Sequence, residues 1–278
     1  MSEWILRQVI ERQFPPRQSP VMFQCWSKLL FLHWQWDAGE IQKHLPIGLA
    51  IDCFDGSAWI GIVPFFMRGT RPAGFPPLPV VSDFLELNLR TYVRDESGRP
   101  GIWFFSLDAN QPLAVWAARI FFALPYRLAT MRANQSDGWT DYVSARSGRE
   151  PALKYRYRKK GAAGEAALGS LEFFLIERYR LFAFRGGRLF SGRVYHIPYQ
   201  LSEAEVDHYD SRLFELEGFD VPDRPPDHIC YASRVDVSVY PLRAVAVGTL
   251  SAPRLPSAGR GQYPQSQGHY RGALWTGI

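Results

Sequence analysis

Apolar and polar positions alternate through much of this chain, and residues 82–93, SDFLELNLRTYV, carry the pattern most clearly. A strand has a side-chain period of two, so Leu85, Leu87, Leu89, Thr91 and Val93 share one face and Phe84, Glu86, Asn88, Arg90 and Tyr92 share the other. The first row requires a core. The second sets a carboxylate, an amide and a guanidinium between two aromatic rings, and is either a solvated sheet face or the wall of a cavity.

The same period predicts strands over CWSKLLFLHWQW, over AWIGIVPFFM at 58–67 after an Asp55-Gly56 turn, and over GIWFFSLDA, the return arm of a hairpin turning at 96–100. Further strands are expected at about 126–133, 139–146 and 152–160, in RVYHIPY after a Gly186-Gly187 turn, and in ICYASRVDVSVY. Helical signals are fewer. Residues 1–20 read as a short amphipathic helix and a lead-in carrying Pro15, Pro16 and Pro20. Asp37 and Glu40 have capping-box spacing, so a short helix should run from there and stop before Pro46. Asn110 as cap and Pro112 in the first turn introduce LAVWAARIFFAL, apolar nearly all round with Arg119 as its charge, which predicts a helix buried on most sides and ended by Pro125. Another short helix is expected from Ser170, and Ser202 with Glu205 reads as a second capping box opening a helix that ends near Gly218. The prolines and glycines of GTRPAGFPPLP, 69–79, predict a rigid loop. The sum is an α+β fold, mainly β: an antiparallel sheet or barrel with one buried helix and a few peripheral ones, in a single domain over 21–248. A basic tail at 249–278, rich in Gly, Pro, Ser and Gln, is expected to be disordered.

Composition adds limits. A chain of 278 residues that is 46% hydrophobic can bury a large core, and an aromatic content of 15% suits broad sheets or an aromatic-lined cavity. The net charge is +5, but Arg254, Arg260 and Arg271 of the tail supply three of those charges, leaving a body too weakly basic to argue for nucleic acid without a concentrated patch. The densest basic run lies at 154–160. In LKYRYRKKG, Lys154, Arg156, Arg158 and Lys160 share a face while Tyr155 and Tyr157 take the other, whereas a nucleic-acid platform gains from rings within the basic face. A solvated basic face is the better reading, with nucleic-acid contact through 152–160 as the weaker alternative. Cys25, Cys53 and Cys230 are odd in number, distant and without metal-ligand spacing, as expected of core thiols in a reducing cytoplasm. Neither a leader-like h-region nor a run of ~18 uncharged apolar residues occurs, so no membrane span is expected. No protein-built metal site, nucleophile elbow, phosphate loop, dinucleotide fingerprint or cofactor is predicted.

Several segments together, HLPIGLAIDCFDGSAWIGIVPFFM, FLELNLRTYV, GIWFFSLDA, LPYRLA, SLEFFLIERYRLF and VYHIPY, resemble an uncharacterised bacterial domain-of-unknown-function family of the acetoacetate decarboxylase-like superfamily. The resemblance covers roughly 21–245 and implies a curved, largely antiparallel β-barrel or cone with a helix near a central cavity. In the decarboxylases a lysine just after a helix-ending proline forms a Schiff base with a keto acid, and a neighbouring lysine lowers its pKa. LPYRLA corresponds to that segment, with Tyr126 and Arg127 at the two lysine positions. Neither phenol nor guanidinium forms an imine, so Schiff-base chemistry would need a relocated lysine from Lys28, Lys43, Lys154, Lys159 and Lys160. Glu86 looks like the counterpart of a cavity glutamate.

With the resemblance, the polar row of 82–93 reads as a cavity wall. Glu86 is the candidate acid or base, Asn88 and Arg90 the ligand-holding groups, and Arg90 the expected partner of Glu86. Tyr126 is a candidate acid and Arg127 a candidate anion contact; a core tyrosine beside a surface arginine is the competing view. Arg119, on so apolar a helix, must snorkel outward or pair with an acid such as Glu86 or Asp108. His196 is the histidine best placed for function, with a structural role as the alternative, and His33 reads as structural. The expected function is binding of a small polar or carboxylated organic molecule, with lyase or acid–base chemistry or with none. A free strand edge leaves a homo-oligomer open.

Overall fold

The computed structural model describes residues 3–148 and 151–245; the tail expected at 249–278 lies outside the described residues. The chain runs α1 (Glu3–Gln13), β1 (Met22–Trp36), α2 (Ala38–Lys43), β2 (Leu49–Ile51), β3 (Ala58–Pro72), β4 (Phe84–Asp95) and β5 (Pro100–Ala109). There follow α3 (Pro112–Phe121), β6 (Tyr126–Ser136), β7 (Trp139–Arg146), β8 (Leu153–Gly164), α4 (Leu171–Ile176), β9 (Arg180–Arg185), β10 (Arg188–Tyr195), β11 (Leu201–His208), α5 (Leu213–Leu216), β12 (His228–Val239) and β13 (Arg243–Ala244). No helix among the described residues is long and apolar enough to cross a membrane.

All strands belong to one sheet, ordered β13-β10-β9-β5-β6-β7-β8-β11-β12-β1-β3-β4-β2, and the extra pairings β4–β5 and β10–β12 close it on itself twice. One closure runs from β5 through β6, β7, β8, β11, β12, β1 and β3 to β4; the other joins β10, β9, β5, β4, β3, β1 and β12. β1, β3 and β4 therefore form a partition with a core on each side. Leu85, Leu87 and Leu89 of β4 join Leu30, Leu32, Ile60, Ile62 and Tyr142 in one core. Phe84 and Tyr92 join Leu29, Phe31, Val63, Phe65 and Tyr126 in the other. Only Arg94 of β4 reaches solvent. Burying each leucine contributes about 1.5–3 kcal/mol, and a one-residue slip would exchange all three for Glu86, Asn88 and Arg90, so the register is strongly specified.

Most neighbours are antiparallel, but β5 pairs in parallel with β6 and with β9. Parallel neighbours need a crossover, and α3 supplies the one between β5 and β6. This placement corrects the expectation of a helix buried on most sides: Val115 is buried, while Leu113, Trp116, Ile120 and Phe121 are exposed. The helix closes over a hollow with one face only. Its cap is Gln111, whose side chain accepts from Leu113 N, rather than Asn110. Asn110 instead accepts from Leu85 N at 2.8 Å and donates to Met131 O, tying β4 to β6.

The helix expected from Ser202 is strand β11, paired with β8 in a register that faces Glu203 with Lys160 and Glu205 with Arg158. Acids at alternate positions match the bases of β8, at 2.7 Å for Arg158–Glu205 and 3.3 Å for Lys160–Glu203, and Arg156 reaches Asp141 and Asp207. Cross-strand charge pairing outweighs a local capping signal. The helical reading survives only in the short α5. The 69–79 loop likewise begins later than expected, because β3 continues to Pro72 along β1. Caps at Asp37 and Ser170 form as expected, accepting from Glu40 N and Phe173 N. The helix α1 docks through Glu11, which meets Arg180 and Arg193.

Candidate functional site

On the α3 side of the partition lies a cavity of about 390 Å³, whose wall includes Glu86, Asn88, Arg90, Tyr126 and Arg178 among many apolar side chains, and whose rim includes Leu78, Leu113 and Trp116. The strand β4 brings in the first three because its polar row faces this side. Tyr126 arrives as the first residue of β6, held beside Leu107 by the parallel pairing with β5.

Glu86 is 3% exposed. The Tyr126 hydroxyl donates to its Oε2 at 2.6 Å, and Asn88 Nδ2 donates weakly to Oε1 at 3.5 Å. Burial pushes the Glu86 carboxyl up to about 7, opposed by those two hydrogen bonds. Tyr126 is pushed well up by burial and by the facing carboxylate, so it is the proton donor of the pair. From the other side of the partition, the Tyr142 hydroxyl donates to the Glu86 backbone oxygen at 2.8 Å and anchors the strand there.

Arg90 does not pair with Glu86. Its Nη2 donates weakly to Leu175 O at 3.4 Å, its guanidinium lies over the Phe31 and Tyr92 rings, and its Nε has no partner. Among the described residues no carboxylate lies within ion-pair distance of it. Arg178, which sequence reasoning missed, is the better satisfied cation: it donates to Asp52 Oδ2 at 2.9 Å and to Phe174 O at 2.7 Å, and Nη2 is left over. Its signal was present in FFLIERYRLF, where Glu177 and Arg178 interrupt an apolar run. Glu177 accepts from Tyr199 N at 3.0 Å and from the Tyr179 hydroxyl.

The other candidates sit elsewhere. Arg119 pairs with neither Glu86 nor Asp108; its Nε donates to the Tyr126 backbone oxygen at 2.7 Å, bracing the site tyrosine from behind. Asp108 is bound by Arg146. Arg127 points to the opposite face of β6 from Tyr126, half exposed and 3.5 Å from Glu217. His196 is buried outside the cavity wall, its Nδ1 2.7 Å from Ile197 O and its ring stacked on Tyr179, and burial pushes its pKa down to about 4. A second hollow of about 490 Å³ is lined by Trp103, Phe105, Arg119, Arg185 and Glu217. Its charges are already engaged, Arg185 with Ile120 O and Glu217 with Arg146, so the first cavity holds the uncommitted chemistry. No lysine lines that cavity, and among the described residues no three His, Cys, Asp or Glu side chains converge as metal ligands.

Comparison with known proteins agrees with this architecture. An acetoacetate decarboxylase from Legionella pneumophila superposes with a TM-score of 0.58 at 11% identity, covering 86% of this chain and 95% of that one. An acetoacetate decarboxylase-like enzyme from Sphingomonas wittichii RW1 gives 0.55 at 11%, covering 82% and 94%. The enduracididine biosynthesis enzyme MppR, complexed with the condensation product of pyruvate and imidazole 4-carboxaldehyde, gives 0.55 at 12%, covering 82% and 90%. At these identities the likeness is one of fold. In sequence, the uncharacterized protein YqjF of Bacillus subtilis strain 168 is 38% identical over 224 residues, 80% of this chain and 92% of YqjF. Residues 23–236 match the model of DUF2071, described as an uncharacterized conserved protein, and the chain is a member of that family, built on an acetoacetate decarboxylase-like fold.

Proposed function

We propose that the cavity binds a small organic molecule with an apolar body and a carboxylate or carbonyl oxygen, and that Glu86 exchanges a proton with it. The observation that carries this is the Glu86–Tyr126 pair on the same cavity wall as a buried guanidinium, Arg90, that has no carboxylate partner among the described residues. A buried cation without a counter-ion is costly, and an anionic ligand would supply the missing charge. A carboxyl near 7 sits where a general acid or base is most effective at neutral pH. Pyruvate chemistry in a protein of the same fold is consistent with a ligand of this class. With no lysine on the wall, the chemistry uses no imine; the phenol of Tyr126 holds and orients where a lysine would attack. Partnered bases on β8 argue against nucleic acid as the ligand. Three free thiols accord with a reducing cytoplasm.

The test is a thermal-shift series with short- and medium-chain monocarboxylates and 2-oxo acids. A binder at a hundred times its Kd should stabilise by about 2.7 kcal/mol, and Arg90→Gln should abolish the shift. An undiminished shift in that variant would remove the anion contact from the proposal. Mass spectrometry of the bound acid then separates turnover from simple binding, and borohydride trapping should give no adduct.

A further inference from the structure

A second set of polar side chains runs along the cavity side of the partition, from β4 across β1 to β12 and α4. The Tyr92 hydroxyl lies 2.8 Å from His33 Nε2, His33 Nδ1 lies 3.0 Å from His228 Nδ1, and His228 Nε2 lies 3.7 Å from Glu172 Oε1. Exposure rises along this row: Tyr92 and His33 are at 0%, the His228 side chain is at 9% and that of Glu172 at 45%. The inner end lies under a cavity-lining group, since the Arg90 guanidinium sits 5.9 Å from the centre of the Tyr92 ring.

We infer that Tyr92, His33, His228 and Glu172 form a proton-conducting chain between the Arg90 end of the cavity and solvent. A contact between two Nδ1 atoms requires one imidazole to donate and the other to accept. One setting satisfies both hydrogen bonds, Tyr92 O–H donating to His33 Nε2 and His33 Nδ1–H to His228 Nδ1, and leaves His228 Nε2–H facing Glu172 at 3.7 Å, longer than a hydrogen bond, at the solvent end. Outward transfer moves the phenol proton to His33 Nε2, the His33 Nδ1 proton to His228 Nδ1, and the His228 Nε2 proton to the Glu172 carboxylate. The products are a Tyr92 phenolate, opposed by burial and favoured by the charges of Arg90 and Arg178, two neutral imidazoles of reversed tautomer, and a carboxyl group that returns its proton to water. Inward transfer is the reverse, and the proton count balances in both directions. Neutral imidazoles are what such a chain needs. Burial keeps both histidines below their ordinary pKa, aided at His33 by the charges of His228 and Arg90 and opposed at His228 by Glu172.

The fold also reserves room for the inner ring. Gly61 of β3 stands opposite His33 in the β1–β3 register, and a Cβ there would fall 2.7 Å from His33 Cδ2. The ring is held on its other side by stacking on Phe31. Use of this chain by a bound molecule rests on the cavity proposal above, but its conduction does not, and it is measured on the ligand-free protein.

The experiment is solvent exchange of the ring N–H protons in protein labelled with ¹⁵N-histidine, with backbone amide spectra confirming the fold of each variant. The His33 ring proton, though fully buried, should exchange far faster than the amides of its own strand. Glu172→Gln, at a half-exposed position, should slow that exchange by roughly a hundredfold, the scale supplied by one positioned acid–base group. Tyr92→Phe removes the inner end and should leave the exchange rate as it was. A network with only a structural role predicts instead a His33 ring proton as protected as the surrounding amides. That result, an unchanged rate in Glu172→Gln, or equal slowing in Tyr92→Phe would overturn the inference.

Discussion

Replacing Glu86 by Gln keeps the size of the side chain and an oxygen to accept the Tyr126 hydroxyl, but removes the ionisation. In the folded protein burial holds the carboxyl at about 7 against 4.5 in an open chain. The folded state therefore binds this proton more tightly than the unfolded state, so ionisation of Glu86 opposes folding. The penalty is absent below about pH 4.5, grows as pH rises from there, and is complete above about 7, where it reaches roughly 3 kcal/mol for a shift of this size. Glu86→Gln escapes it. Its stability relative to the parent should rise by roughly 2 to 3 kcal/mol between about pH 5 and pH 8.5, read from urea midpoints at matched m-values. The buried histidines pull the other way. His196, with its pKa pushed down to about 4, together with His33 and His228, costs stability as pH falls below the ordinary histidine value. Those costs are common to both proteins and cancel in the difference. A pH-independent offset, or a variant that loses ground as pH rises, would refute the assignment of Glu86 as a carboxyl destabilised by burial.

Two further outcomes follow from other parts of the molecule. Asp52→Ala strands the buried Arg178 guanidinium and should cost about 3–5 kcal/mol in chemical denaturation, with much of it recovered by adding Arg178→Met, since a buried charge pair is replaceable by apolar packing; a loss within error of zero would deny the pair its role. Val80→Gly relieves a β-branched residue held at φ 68° and 85% exposed, whose backbone oxygen accepts from Gln111, and should raise stability by about 0.5–1 kcal/mol in thermal unfolding; a fall in Tm would show that the side chain makes contacts worth more than the strain.

Where local rules suffice, the chain is legible. The caps at Asp37 and Ser170 are made within one turn, the Gly186-Gly187 hairpin within a few residues, and the alternation in 82–93 is a property of any strand, so these were readable from residue order. Reading failed where the deciding partner is distant. Residues 202–205 satisfy a helix cap and also alternate acids as a strand does; the bases of β8, more than forty positions away in the chain, decide between the two. α3 is apolar apart from Arg119, and nothing local says that one face meets a hollow while Ile120 and Phe121 look out.

The candidate site divides along the same line. Sequence by itself determined that Glu86, Asn88 and Arg90 stand together on one face, and that no lysine follows the proline of LPYRLA. Only tertiary structure decided that this face is buried, because burial of both faces depends on the sheet closing twice around β1, β3 and β4. It also decided that Glu86 meets Tyr126 rather than Arg90, that Arg127 turns away to Glu217, and that His33 meets His228 across 195 residues of chain. Periodicity is a short-range property and survives in the sequence; charge, pKa and proton contact depend on which strands become neighbours, and that is set by closure of the whole sheet.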